Sequence, residues 1–513
     1  MNTIARISSV AALAAVAGLA QFASAQTFQK AYGTTAVETT YSVEVASTCQ
    51  FVTAGARVDP NNRAAHVSML DAEGVSQWHR TLVSVNNPGF SQAYSIRESV
   101  PLTTVPQSFF VGYESTFVAN QGIGLMRVDP LGNLIWAWNY QGAAFVDLPA
   151  GVSVREFRDG GAALVGRGVI PNTPLSGILI RVRPDGSPLF NRGYNLPVGT
   201  EPARISFSDL RATDQGFVIV GSILERSFSR TFGLLVRTDF NGNVTLARSY
   251  PMPQGEMQFD GLEVDKDGTI VVSGRMSATA GAPDEALVVA RLSPGGNPIW
   301  FKQSRGFIDG YAATRIDTNG DIVIGGTNLF TQINEPLASI IRIDPAGNFI
   351  DRMSYGGPGG SDGHAVIQHP KFCGYALAGA TSLNAAPGTS GMDDFFLVRA
   401  SDTLRAGCFD LPSEAILLDV VTTQRVLNLT PRDQSIASPA NVLLRPLTVN
   451  DIRYCFRERC RADFNCDGQR DFFDYLDFAA AQDALDPKAD VNCDGNIDFF
   501  DYLDFVEWYD AGC

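Results

Sequence analysis

The sequence predicts an all-β, seven-bladed β-propeller followed by a small α-helical module built on two paired loops. Three observations predict it. A hydrophobic strand ending in a polar turn recurs seven times between residues 30 and 410, and a second strand ending in glycine keeps the same period. The last 53 residues then hold two copies of an oxygen-rich loop, 27 residues apart. A chain of 513 residues, 45% hydrophobic and 18% charged, has ample material for a large core, and its 49 glycines suit a turn-rich fold. These values exclude a disordered tail, a collagen and a multi-span membrane protein. With 39 Lys and Arg against 54 Asp and Glu, and no basic stripe, nucleic-acid binding is excluded as well.

Residues 1–25 read as a secretory signal peptide. Arg6 supplies the positive charge, residues 9–20 are almost wholly apolar, and Ala23-Ser24-Ala25 is a small-x-small cleavage site. The apolar run is too short to span a bilayer, and no other stretch approaches the length required. An exported chain without a transmembrane span, secreted or attached to the cell surface, is expected.

Residues 26–409 read as the propeller. The first turn signal is Met69-Leu70-Asp71-Ala72-Glu73-Gly74, and its counterparts are Arg127–Gly132, Arg181–Gly186, Arg237–Gly242, Arg291–Gly296, Arg342–Gly347 and a degenerate Arg399–Asp402. The independent strand ends at Gly55, Gly112, Gly166, Gly221, Gly274, Gly326 and Gly379. Short β-branched runs bounded by Gly, Asp, Asn and Pro are strand-and-turn chemistry, and four strands per repeat make one blade. Lys30-Ala31-Tyr32-Gly33 matches the strand that ends other repeats, as in Trp138-Asn139-Tyr140 and Arg192-Gly193-Tyr194. The N-terminal strand is therefore expected to complete the last blade and remove two sheet edges. An open solenoid is the structural alternative.

The Asp71-x-x-Gly74-x-x-x-Trp78 and Asp129-x-x-Gly132-x-x-x-Trp136 spacings, with Trp300 at the same distance from Gly296, resemble the tryptophan-docking motif of bacterial propellers with Kelch-like or PQQ-like repeats. That resemblance implies tryptophans packed between blades. The repeat count of seven departs from the eight of quinone-dependent members, and no quinone site is visible. Fold resemblance alone does not assign an activity.

Little in the propeller reads as chemistry. The four histidines, His66, His79, His364 and His369, fall in no metal-ligand spacing and read as structural or surface residues. Gly359-Gly360-Ser361-Asp362-Gly363 matches a nucleophile motif, but a turn precedes it and a strand follows it, against the strand-then-helix context the motif requires. Asp129, Asp239 and Asp344 recur in turns, where hydrogen bonding explains them. Glu114, Glu156, Glu201, Glu256 and Glu285 are not repeated and are possible channel groups, without any pair standing out. No catalytic residue is assigned. Residues 410–458 belong to neither unit and read as a β-extension or linker.

Residues 459–513 form the last module. From Arg461 onward there are 14 acidic and three basic residues. The acids are patterned. Asp463, Asn465, Asp467, Gln469, Asp471 and Asp474 occupy positions 1, 3, 5, 7, 9 and 12 of a loop with Gly468 at position 6. Asp490, Asn492, Asp494, Asn496, Asp498 and Asp501 repeat the pattern with Gly495. Oxygen ligands at this spacing, a backbone carbonyl at position 7 and a glycine at the sharp turn are the ligand scheme of a calcium loop, so two Ca²⁺ are expected. Position 12 is Asp where ordinary EF-hands have Glu. The octapeptide Asp-Phe-Phe-Asp-Tyr-Leu-Asp-Phe follows identically in both copies.

Two such F-hand-like loops, each leading into a helix, resemble a type I dockerin, and more closely the GC-type dockerin with its terminal Gly512-Cys513. The resemblance implies folding coupled to calcium, and a cohesin-like or cell-surface receptor bound through helix faces that include positions 10 and 11. Those positions are Phe472, Phe473, Phe499 and Phe500, where many cellulosomal dockerins carry Ser-Thr. Half of these phenylalanines are expected in the module's small core.

Eight cysteines in an exported chain point to disulfides, and eight allow 105 pairings. The expected pairs are Cys466 with Cys493 at equivalent loop positions, Cys460 with Cys513 bracketing the module, Cys373 with Cys408, and Cys49 with Cys455. The expected function is a secreted binding or scaffold protein, with an interaction surface on the propeller for a carbohydrate or protein ligand. The alternative is a polysaccharide-active hydrolase or lyase with its site at the channel mouth, marked by a carboxylate pair about 5 to 9.5 Å apart.

Overall fold

A computed structural model describes residues 25–511, apart from 60–61, 86–89, 100–106, 116–121, 142–151, 158, 170–174, 198–202, 226–229, 278–285, 306, 331–333, 358, 370, 372, 383–393, 408–409, 414, 434–435, 460 and 468. Residues 1–24 of the expected signal peptide, Cys408, Cys460, Cys513, Glu201, Glu285 and Gly468 lie outside the described residues, as does the side chain of Cys455.

The alternation of apolar and small residues between turn signals produces seven antiparallel sheets, six with four strands from one repeat and the seventh with three. The blades span residues 37–84, 91–141, 153–195, 203–250, 256–305, 307–355 and 361–400. The innermost strand of each blade packs on those of its two neighbours, and the seventh returns to the first, so the ring is closed around an axial channel. The expected closure holds. The N-terminal strand Ala25–Gly33 pairs with Asp394–Ala400 and supplies the fourth strand of blade seven. One detail of the repeat differs: in blade two the register places Tyr113 where other blades have the strand-ending glycine, and Gly112 falls one residue earlier.

Residues 410–459 are neither a loose linker nor a separate unit. After blade seven the chain turns back and runs around the ring in reverse, adding a fifth strand to every blade. Leu411–Pro412 pairs with blade six, Ile416–Asp419 with five, Arg425–Val426 with four and Thr430–Asp433 with three. Ile436–Pro439 pairs with blade two, Val442–Pro446 with one, and Asn450–Arg459 with the N-terminal strand of blade seven. This belt covers the outer edge that each four-stranded blade would otherwise present to solvent, where unpaired N–H and C=O groups invite edge-to-edge association.

The core lies between blade faces, in clusters such as Phe207, Phe232 and Leu234, and Phe259, Val288 and Phe301. Recurring side chains clasp each blade to the next turn. Trp78, Trp136 and Trp300 donate their indole N–H to the carbonyls of Pro130, Pro184 and Pro345, at 2.9, 3.1 and 3.1 Å. Tyr140, Tyr194 and Tyr250 donate to the turn carbonyls of Gly186, Gly242 and Gly296. Tyr32 does the same to Gly74 across the ring closure. Gly74 has φ +70°, and a Cβ there would strike the Phe28 ring and the Tyr32 hydroxyl, so both conformation and close approach require glycine.

Candidate metal loops and the axial channel

The two loops of the C-terminal module fold alike because their side chains bond their own backbone alike. Asn465 Oδ1 accepts from Asp467 N and Asp467 Oδ1 from Gln469 N; Asn492 and Asp494 repeat this with Asp494 N and Asn496 N. These are Asx-type turns, each bending the chain toward a common centre. The position-12 carboxylates close the loops. Asp474 accepts from Asn465 N at 3.1 Å and Asp471 N at 2.8 Å; Asp501 accepts from Asn492 N at 3.4 Å and Asp498 N at 2.9 Å. Both carboxylates are fully buried. Cys466 and Cys493, at position 4, share a left-handed backbone with φ of 70° and 64°.

Asp471 caps helix α1 (Phe472–Asp483), and helix α2 (Phe499–Ala511) follows the second loop. Burial, and then the neighbouring charges of Asp490 and Asp494, push the Asp501 carboxyl above its ordinary range. Among the described residues no three Asp, Glu, His or Cys side chains are gathered into a coordination shell. Several of their oxygens accept from loop N–H groups instead. The donor set is nonetheless the hard-oxygen set that a divalent cation of the calcium type requires.

The disulfides correct the expected pairing. Cys493 is bonded to Cys49, in the turn after the first strand of blade one, and Cys466 is bonded to Cys373, in the corresponding turn of blade seven. Cys466–Cys493, Cys373–Cys408 and Cys49–Cys455 are therefore not pairs, while Cys460–Cys513 lies outside the described residues. The physical reason is the docking. The module sits over the seam between blades seven and one, so each position-4 cysteine meets a propeller turn before it can meet its counterpart. Lys371 reinforces the seam, donating to Ser47 O at 2.8 Å and to the position-1 carboxylate Asp490 at 2.5 Å, with both side chains buried. Arg461 reaches Glu73 at 3.4 Å and lies over the Trp508 ring.

The module's core is Phe464, Phe478, Ala489, Val491 and Phe505, with Phe478 and Phe505 stacked at 4.2 Å. None of Phe472, Phe473, Phe499 and Phe500 belongs to it. All four are between 62% and 64% exposed, and Leu476 and Leu503 beside them are 45% exposed. The two helices thus present two equal apolar faces, an unusual exposure for a soluble domain.

In the propeller, Ser361 is committed to structure: its hydroxyl donates to Tyr355 O and accepts from Ala338 N. His364 donates to Thr40 O, and His66 and His79 share a buried hydrogen bond of 3.0 Å. Among the non-repeated acids, Glu156 lines a cleft of about 1020 Å³ between blades three and four, with Phe157, Phe190, Phe240, Arg181 and Asp214. Glu114 accepts from the Tyr94 hydroxyl at 3.4 Å, and Glu256 begins the inner strand of blade five.

The inner strands carry a constellation that the sequence analysis missed. At one register position, blades two, three, four and six hold Arg97, Arg155, Arg211 and Arg315. Blades one and five hold Glu44 and Glu263 there, and blade seven holds Ile367. Each arginine curls back so that its guanidinium donates to the preceding carbonyl, at 2.7 to 2.9 Å. Arg97 then pairs with Glu44, Arg155 with Asp209, and Arg211 with both Asp209 and Glu263. Burial and the repulsion of Arg97 and Arg211 pull the Arg315 pKa down to about 10. Aligning the inner strands as repeats, with Ser-x-Arg at Ser95–Arg97 and Ser153–Arg155, would have exposed the signal.

No protein-family model matches this chain, and no curated protein matches it. Among solved structures it is similar to the Dos1 propeller, at 12% identity over 72% of this chain and 95% of that one, with a TM-score of 0.43. An exo-β-1,3-galactanase from Clostridium thermocellum matches at 16% identity over 52% of this chain and 64% of its own, with a TM-score of 0.31. The exotype rhamnogalacturonan lyase YesX matches at 11% identity over 68% and 82%, with a TM-score of 0.28. At these scores the similarities carry no functional argument. No described helix is long and apolar enough to cross a membrane.

Proposed function

We propose that this chain is an exported binding protein whose C-terminal module takes up two Ca²⁺ and docks a cohesin-like or cell-surface receptor, while the propeller presents the functional surface. The observation that supports this reading best is the duplicated loop. Matching hydrogen bonds hold oxygen side chains at positions 3, 5, 9 and 12 of both loops, with fully buried position-12 carboxylates. Asp463, Asn465, Asp467, Asp471 and Asp474 would hold one ion, and Asp490, Asn492, Asp494, Asp498 and Asp501 the other. The backbone carbonyls of Gln469 and Asn496 would contribute position 7. The ion would supply charge neutralisation: Asp490, Asp494 and Asp501 repel one another, and a divalent cation removes that cost.

The exposed helix faces support receptor binding. Phe472 and Phe473, and Phe499 and Phe500, each offer a paired aromatic anchor at a helix start beside acidic residues, which suits an apolar receptor groove with a basic rim. Calorimetric titration of the full-length protein with calcium tests the reading. Two sites are expected, reduced to one by Asp474→Asn or by Asp501→Asn. Absence of any calcium binding by the folded, oxidised protein would sink it.

A second reading, a polysaccharide-active enzyme, is favoured by the cleft between blades three and four, where Glu156 and Asp214 face aromatic walls. Glu156→Gln would abolish cleavage of a susceptible glycan under that reading.

A further inference from the structure

One seam of the ring lacks a clasp that every other seam has. The second residue of each repeated turn is Ala72, Pro130, Pro184, Phe240, Pro294, Pro345 or Asp402. At six of these turns its carbonyl accepts a hydrogen bond from the preceding blade. Trp78, Trp136 and Trp300 reach Pro130, Pro184 and Pro345. The repeat arginine one strand inward does the same: Arg127, Arg237, Arg291, Arg342 and Arg399 donate to Pro184, Pro294, Pro345, Asp402 and Ala72, at 2.5 to 3.2 Å. Phe240 is the exception among the described residues, because neither donor reaches its carbonyl. Blade three carries Phe190 in the tryptophan register, opposite Arg181 as Trp136 stands opposite Arg127. Phe190 packs against Gly242 as Trp136 packs against Gly186, but it has no N–H to give. Arg181 does not cross the seam. It donates to Ala162 O and Val182 O in its own blade, pairs with Asp159 at 2.5 Å and lies over the Phe157 ring at 4.0 Å. The cleft of about 1020 Å³ between blades three and four opens at this seam, walled by Phe157, Leu189, Phe190 and Phe240. Arg192 and Tyr194 hold the seam together beside it, donating to the carbonyls of Asn241 and Gly242.

We propose that this cleft receives the indole of a tryptophan carried by a partner polypeptide, seated beside Phe190 and supplying the N–H that Phe190 lacks. The fold itself shows the chemistry. In blades one, two and five a flat apolar ring packs at the seam and its edge N–H satisfies the turn carbonyl. The seam between blades three and four keeps the acceptor and the aromatic walls without the donor. A ring with no donor would leave the Phe240 carbonyl unpaired once the cleft is filled, and a polar group with no ring would leave the phenylalanine walls in water. Phe240 and Leu189 are 45% and 47% exposed. The volume suits a ligand larger than a lone ring, so the indole is taken on a peptide. Peptide amides beside the indole add N–H donors, and Glu156 at the inner end of the cleft has a carboxylate oxygen buried without a hydrogen-bond partner among the described residues. The site depends on neither functional reading above.

Calorimetric titration of the full-length protein with a capped Gly-Trp-Gly peptide tests this. One peptide per chain is expected. Methylating the indole nitrogen of the peptide removes the donor and should weaken binding by about fivefold or more, the scale for leaving one buried acceptor unpaired. Free indole should bind more weakly than the peptide. Phe190→Trp gives the seam its own indole, as in blade two, and should abolish peptide binding while raising the propeller's unfolding temperature. Phe240→Pro restores the proline of the neighbouring turns, keeps the carbonyl and removes one aromatic wall. It should weaken the peptide by about tenfold, so the test survives if Phe190→Trp fails to fold. Equal binding of the methylated peptide, free indole binding as tightly as the peptide, unchanged binding in both variants, or no peptide binding up to about 10 mM overturns the proposal.

Discussion

Cys49 and Cys493 are bonded to each other across 444 residues of chain, joining a turn of the first blade to the second loop of the terminal module. The companion bond from Cys373 to Cys466 ties the first loop to blade seven. Each loop is thus held at position 4, beside its candidate ligands, by the propeller itself. A module of about 50 residues has little core of its own, so cross-links carry much of its stability. Replacing Cys49 and Cys493 together by Ser should destabilise the module by about 2–4 kcal/mol. Scanning calorimetry checks this: the module should melt earlier than the propeller, and an unchanged profile would show that docking, not the bond, holds it.

Lys371 places a cation at position 1 of the second loop. Its ammonium bridges the Ser47 carbonyl and the Asp490 carboxylate, so the second loop has a resident cation at position 1. A calcium ion entering the second loop must share or displace that contact, which lowers affinity there. Lys371→Met should therefore tighten calcium binding at the second loop by about tenfold and leave the first unchanged. Titration of the variant against the parent protein decides it; equal affinities in both would show that Asp490 is not a ligand.

Acid should weaken blade one through its histidine pair. His66 and His79 are buried and stacked, with Tyr32 beside them and Arg57 and Arg80 nearby. Burial is the main cause that lowers both pKa values, that of His79 to about 4. The unfolded chain then binds more protons than the folded one between pH 6.5 and about 4, so stability falls as pH drops through that window. For His79 alone the loss is roughly 3 kcal/mol. Urea unfolding at pH 7.5 and pH 4.5 should show it, and His79→Gln should flatten the difference; an equal slope in the variant rules the pair out as its source.

The 28 blade strands were legible because each repeat carries its own turn chemistry, from Asp71 to Gly74 onward. The β character of the belt was legible, but its path around the ring was not. Its strands at Leu411–Pro412 and Arg425–Val426 are two residues long and have no internal period. Only the blade edge they meet makes them strands. The cysteine pairing was hidden for a related reason, since Cys466 and Cys493 look like partners until the module is seated over the seam. Phe472 and Phe499 looked like core material because the octapeptide gives no sign of which face turns inward. Phe478 and Phe505 take that role instead, one helical turn and a half further on.

The belt leads to the last prediction. A chain ending at residue 409 would keep all 28 blade strands, but every blade would expose the hydrogen-bonding edge of its outermost strand. Those edges carry apolar groups as well: Leu427 and Leu429 cover the cluster around Phe207, and Val442 joins the cluster around Phe109. Seven open edges on one ring are templates for association. The truncated protein should aggregate or run as large oligomers on size exclusion. A chain ending at residue 459 retains the belt, including the pairing of Asn450–Arg459 with the N-terminal strand. It should be monomeric, with the propeller's unfolding transition preserved. If the 409 truncation is monomeric and equally stable, the belt serves only to carry the terminal module to the seam. If both truncations aggregate, the disulfides from Cys49 and Cys373 are what close the ring.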